Sequence, residues 1–148
     1  MEIRKDFKEL LESLNAHEVE YIIVGAFALA WHGHPRYTGD LDIYVNPKPD
    51  NASKLLAALE DFGFGSLGLA PSDFEEPDQV IQLGVAPLRV DILTSISGVD
   101  WDASWAGSVH GNYGETPARY LGKAQFRANK LAIGRLKDLA DLESIGES

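Results

Sequence analysis

The stretch Asp40, Leu41, Asp42, Ile43, Tyr44, Val45 alternates strictly between two kinds of side chain, and this alternation constrains the chain more than any other feature. In an extended strand successive side chains point to opposite faces. Leu41, Ile43 and Val45 therefore share one apolar face, while Asp40, Asp42 and Tyr44 share the other. A strand with a packed inner face belongs to a sheet, so two carboxylates are fixed side by side on a defined face of that sheet. Asp91 has the same setting between Val90 and Ile92, in a second segment expected to be a strand.

The other segments fill in a sheet flanked by helices. Ile3, Phe7, Leu10, Leu11 and Leu14 recur at helical spacing, predicting an amphipathic helix over residues 3 to 15. The run from Tyr21 to Val24 is too short for a helix and rich in β-branched and aromatic residues, so it reads as a buried strand stopped by Gly25. Residues 26 to 32 then favour a short helix, broken by Gly33, His34 and Pro35. Another helix is expected over 51 to 61, with Pro49 near its start and Gly63 past its end, followed by an irregular connection over 63 to 71. Residues 79 to 83 and 88 to 94 read as a hairpin carrying Asp91 in its second arm.

Trp101 and Trp105, one helical turn apart, predict a packed helix rather than an aromatic binding box. Residues 108 to 121 allow one or two short strands, and from Lys123 onward the apolar spacing predicts a helical hairpin broken near Gly134. At 148 residues, with no repeat, low-complexity tract or linker, the chain is expected to form a single domain over 1–148.

Composition narrows the chemistry. With no cysteine there is neither a disulfide framework nor a thiolate metal site, which suits a cytoplasmic protein. No segment has the apolar length of a signal or a membrane span, so no membrane partner is expected. A net charge of -10 repels nucleic-acid backbones and acidic membranes unless basic side chains cluster locally.

An isolated Asp-x-Asp is most often an ordinary solvent-facing pair. Here the packed inner face changes the balance. Carboxylates roughly 7 Å apart along one strand face repel unless a cation neutralises them, and oxygen-only ligands favour magnesium over zinc. With Asp91, three such groups suit two ions about 3.5–4 Å apart, the arrangement used in phosphoryl chemistry. His32 and His34 fall in a turn with no further soft ligand nearby, so zinc is not expected. The glycines from 63 to 68 lack the Lys-Ser/Thr ending of a phosphate-binding P-loop. Trp31, Tyr113 and Tyr120 read as core aromatics in preference to base-stacking platforms.

Taken in order, Val24, Gly25, Ala26, then Asp40, Leu41, Asp42, Ile43, then Val90, Asp91, Ile92 resemble the DNA polymerase beta-type nucleotidyltransferase superfamily, in particular its small bacterial and archaeal members. The resemblance covers most of the chain. It implies an α+β nucleotidyltransferase fold, a central mixed β-sheet flanked by helices with a C-terminal helical hairpin. It further implies transfer of a nucleoside monophosphate from a nucleoside triphosphate to an acceptor hydroxyl by in-line attack, with pyrophosphate leaving. Asp40 and Asp42 would hold two Mg2+ ions, and Asp91 would complete the site of the ion that activates the hydroxyl.

Where the superfamily has a second Gly or a Ser, this chain has Ala26, which removes a hydroxyl but keeps the main-chain amide. Gly25 and Ala26 are then expected to cradle phosphate through backbone alone. Arg36 and Thr38, just before the acids, and Lys130 and Arg135, near Gly134, are the expected contacts for the triphosphate. Lys130 matches a lysine that recurs in the similar small proteins. For Lys137, pairing with Asp138 or Asp141 is an equal reading.

The acceptor is open: a small molecule, a protein or an RNA end; because so short a chain leaves little room for a second domain, a homodimer interface is one place where it could be held. Two further readings share the fold, a toxin-like component restrained by an antitoxin-like partner and a catalytically weakened nucleotide-binding protein.

Overall fold

The computed structural model describes residues 3–34, 40–84 and 89–146. Six strands form one mixed sheet in the order β3-β4-β2-β1-β6-β5. In chain order the elements are α1 (Lys5–Ala16), β1 (Tyr21–Val24), α2 (Gly25–Trp31), β2 (Asp40–Val45), α3 (Pro49–Leu59), β3 (Val80–Leu83), β4 (Arg89–Leu93), α4 (Trp101–Gly107), β5 (Val109–Tyr113), β6 (Thr116–Tyr120), α5 (Lys123–Ile133) and α6 (Leu136–Gly146). β1 runs antiparallel to β2, β3 to β4 and β5 to β6, whereas β2–β4 and β1–β6 are parallel pairs. The α+β class, the mixed central sheet and the C-terminal helical hairpin expected from the sequence are all present.

Two differences are local. Ile3 lies outside α1 and is exposed, so the buried apolar face of α1 consists of Phe7, Leu10, Leu11 and Leu14. The connection after α3 is a tight π-type turn over Glu60–Phe64, then 3-10 turns over Gly65–Leu67 and Pro71–Phe74, instead of an irregular loop. Gly63, with φ of 119°, takes a backbone conformation closed to most side chains and kinks the chain within that turn. The Gly134 break falls as expected: its φ of 71° caps α5 before α6 begins.

Each face of the sheet carries its own core. On one face α1 and α3 pack through Phe7, Leu10, Leu11, Leu55 and Leu59 onto Leu41, Ile43, Val45, Val90 and Ile92. On the other, Ile22, Val24 and Tyr44 pack with Trp101, Leu121, Phe126 and Ile145 from the α4, α5 and α6 side. Tyr44 meets Trp101 edge-on at 5.0 Å between centroids, and Trp101 stacks with Trp105 at 5.5 Å. Because Tyr44 belongs to the second core, Asp40 and Asp42 lie on that face too, beyond its apolar cover. Among the described residues no helix is long and apolar enough to cross a membrane.

Candidate functional site

The parallel pairing of β2 with β4 brings the three acids together. Asp42 lies directly opposite Asp91, and Asp40 directly opposite Arg89. Residues opposed in register share a face, and neighbouring strands are about 4.8 Å apart. Asp40, Asp42 and Asp91 therefore project from one side of the sheet as a contiguous cluster, although Asp91 is far from the other two in sequence.

Gly25 forms the wall of this cluster. The chain passes from β1 straight into α2 at Gly25, whose φ is 67°. A β-carbon placed there would lie 2.5 Å from Asp42 Oδ2. The glycine is required twice over, by the left-handed backbone and by contact with a carboxylate. Ala26, the next residue, is buried at the start of α2.

Crowding perturbs Asp42. Burial, then the neighbouring charges of Asp91 and Asp40, push its carboxyl up to about 7 from an ordinary value of 3.8, while Lys130 pulls the other way. A carboxylate so placed is short of positive charge, and an all-oxygen donor set of this kind suits a hard divalent cation such as Mg2+. The donor chemistry fits the ion that the sequence implies.

The side chains as they stand are held by a different cation, one the sequence reading did not single out. Arg89 Nη2 donates to Asp40 Oδ2 at 2.7 Å and reaches Asp91 Oδ2 at 3.5 Å. Its Nε lies 3.4 Å from Asp91 Oδ1. Among the described residues no group of three or more His, Cys, Asp or Glu side chains is arranged to hold a metal ion as the side chains stand. The signal was present in the sequence: Arg89 precedes Asp91 by two positions in an alternating strand, so it must share the acid face.

The expected triphosphate contacts fare differently. Arg36 and Thr38 lie outside the described residues. Lys130 lies near enough to the acids for its charge to act on Asp42. It does not, however, present an open ammonium. Its side chain is 7% exposed, and Nζ lies 3.2 Å from Asp138 Oδ1 and 3.5 Å from Asp141 Oδ2. Burial makes such pairing obligatory, because an ammonium stripped of water needs compensating charge.

Arg135 is also engaged, through Nε to Asp138 Oδ2 at 2.6 Å, but more than half of its side chain remains exposed. The bonds from Arg135 and Lys130 hold the Asp138 carboxyl down at about 2. Asp138, Asp141 and Lys130 thus lock α5 to α6 behind the acid cluster.

Tyr113 and Tyr120 are fully buried, as expected of core aromatics. Trp31 is not in the core as expected: it is 39% exposed, stacked by one face on Tyr120 with centroids 4.8 Å apart. His32 Nε2 hydrogen-bonds the Leu121 carbonyl at 2.7 Å, which ties the end of α2 to the sheet. A cavity of about 530 Å3 beside Tyr21, Trp105, His110 and Arg119 includes none of the three acids in its lining.

Comparison with known proteins gives the fold its context. Neither a family model nor a curated protein sequence matches the chain. Among solved structures it is similar to the "putative nucleotidyltransferase (TM1012) from Thermotoga maritima", with a TM-score of 0.61 over 99% of this chain and 97% of that one. At 14% identity the likeness is one of fold, and the six-stranded mixed sheet flanked by helices is a nucleotidyltransferase-like architecture.

Proposed function

We propose that the chain is a nucleotidyltransferase of the DNA polymerase beta type, transferring a nucleoside monophosphate from a nucleoside triphosphate to an acceptor hydroxyl with release of pyrophosphate. The observation that carries this reading is the convergence of Asp40, Asp42 and Asp91 on one sheet face, with Asp42 and Asp91 in register and Gly25 against them. The fold shared with the Thermotoga protein supports it.

In this reading Asp40, Asp42 and Asp91 would hold two Mg2+ ions, which when bound would offset the negative charge on the attacking and leaving oxygens. The chain's own residues set the stage. β2 and β4 fix the carboxylates through main-chain pairing, so their spacing survives changes at the surface. Gly25 keeps the space beside Asp42 free of a side chain, which leaves the main chain of Gly25 and Ala26 as the closest approach for a phosphate. Asp91 would accept the proton of the acceptor hydroxyl. Arg135, half-exposed at the α5–α6 junction, and Arg36 and Thr38 in the segment before β2 are the side chains assigned to the triphosphate. Lys130 acts on the site through its charge from behind.

The test uses α-labelled and γ-labelled nucleoside triphosphates with Mg2+ and cell extract. Label passes to an acceptor from the α-labelled triphosphate only, and Asp42→Asn abolishes the transfer. Equal labelling by wild type and Asp42→Asn would remove the acid cluster from the chemistry.

A second reading, a nucleotide-binding protein with weakened turnover, is favoured by the Arg89 contact with Asp40 and by Ala26. Calorimetry separates the two. Nucleotide binding without pyrophosphate release in any extract supports the weakened protein, and release supports the enzyme.

A further inference from the structure

Arg89 is held on the acid face by its register, not by a good fit. A guanidinium matches one carboxylate with two parallel bonds. Here Nε and Nη2 face Asp91 Oδ1 and Oδ2 in that arrangement but only at 3.4 and 3.5 Å, while the one short bond, 2.7 Å, runs from Nη2 to Asp40. Arg89 Nε and Asp91 Oδ1 are both buried and, among the described residues, neither makes a hydrogen bond. Facing each other at 3.4 Å without a hydrogen bond, the two atoms offset only part of each other's desolvation cost. Meanwhile the Arg89 side chain is 37% exposed, against 13% for Asp91, so one end of the pair opens to solvent and the other does not.

We infer that Arg89 is a displaceable internal counter-cation, which occupies Asp40 and Asp91 until a divalent ion takes their oxygens and the guanidinium swings outward. The inference rests on the metal-binding reading of the acid cluster. Its physical content is competition: the guanidinium and the ion seek the same carboxylate oxygens, and a positive charge within about 4 Å of the ion opposes its entry. The Arg89 side chain is 37% exposed, so the guanidinium has solvent beside it to swing into. The chain thereby keeps three adjacent carboxylates folded in the absence of metal.

The experiment measures Mn2+ affinity by electron paramagnetic resonance of the free ion, without nucleotide, for wild type and Arg89→Met. Methionine keeps the aliphatic length and removes the charge. Arg89→Met is expected to bind Mn2+ roughly tenfold or more tightly than wild type. Equal or weaker binding overturns the inference. Each protein is also measured with Asp42→Asn added. Mn2+ binding that ignores Asp42→Asn, or no binding in any of the proteins, sinks the metal reading itself. Binding that needs Asp42 but is the same in wild type and Arg89→Met sinks only the role of Arg89.

Should Arg89→Met fail to fold, the wild-type chain answers alone. The Arg89 Nε–Hε resonance, followed by NMR during a Mg2+ titration, is expected to shift and to exchange faster with water as the ion binds. A resonance unmoved at saturating Mg2+, while backbone resonances of Asp42 and Asp91 do move, overturns the inference.

Discussion

Asp42 is expected to destabilise the metal-free protein at the pH where an enzyme would use it. Its carboxyl is pushed up to about 7, first by burial and then by Asp91 and Asp40. The sign follows from proton counting. Between the unfolded value of 3.8 and about 7, the folded chain keeps the Asp42 proton and the unfolded chain has lost it. Stability therefore falls as pH rises through this window and levels off above it. At about 1.4 kcal/mol for each pH unit, the full cost above pH 7 is about 4 kcal/mol, of which about 2–3 kcal/mol develops between pH 5 and pH 8.

Asp42→Asn removes the charge at nearly constant volume and leaves an amide that can donate to Asp91. In a chelator, the variant is expected to outstabilise wild type at pH 8 by about 4 kcal/mol, on the order of 10 °C in melting temperature for a chain of this size. At pH 5 the gap should shrink to roughly 1–2 kcal/mol. Excess Mg2+ should narrow it at pH 8, because ligand binding favours the folded wild type. Thermal melts followed by circular dichroism at the two pH values read this directly. A variant less stable than wild type at pH 8 in chelator would refute the crowding argument, since it would mean that ionised Asp42 is already satisfied in the folded chain.

Gly25→Ala should lower stability by at least about 1–2 kcal/mol from the left-handed backbone alone, with more from the 2.5 Å approach to Asp42 Oδ2, and should abolish transfer by shifting that carboxylate; a variant with wild-type melting and activity would refute the close approach. Lys130→Met should cost about 3–5 kcal/mol because it leaves Asp138 and Asp141 buried without its charge, whereas Arg135→Ala, at an exposed position, should cost less. Equal losses in chemical denaturation would contradict the difference in burial.

Much of the site was legible because it depends on short-range alternation. Leu41, Ile43 and Val45 announce a buried face, and Val90 and Ile92 repeat the announcement around Asp91. Alternation gives the face of each acid within its own strand. It does not give the register between strands, and the pairing of Asp42 with Asp91 is a property of the folded sheet. Arg89 went unremarked for a related reason: an arginine beside apolar residues reads as a surface charge until the strand opposite places Asp40 against it.

Lys130 illustrates the opposite limit. Its helical position and its neighbours Asp138 and Asp141 were all visible, but burial depends on how tightly α6 folds back on α5, and so an expected phosphate contact became an internal ion pair. The tight turns from Glu60 to Leu67 were missed because glycines signal a break without specifying its shape.

The most direct measurement of the central claim is a crystal structure with Mn2+ and a non-hydrolysable nucleoside triphosphate, using the manganese anomalous signal to locate the ion. A peak within about 2–2.5 Å of carboxylate oxygens from both Asp42 and Asp91, with triphosphate oxygens completing its shell, is the expected result. A triphosphate bound elsewhere, or manganese absent from those two carboxylates at saturating concentration, would contradict it.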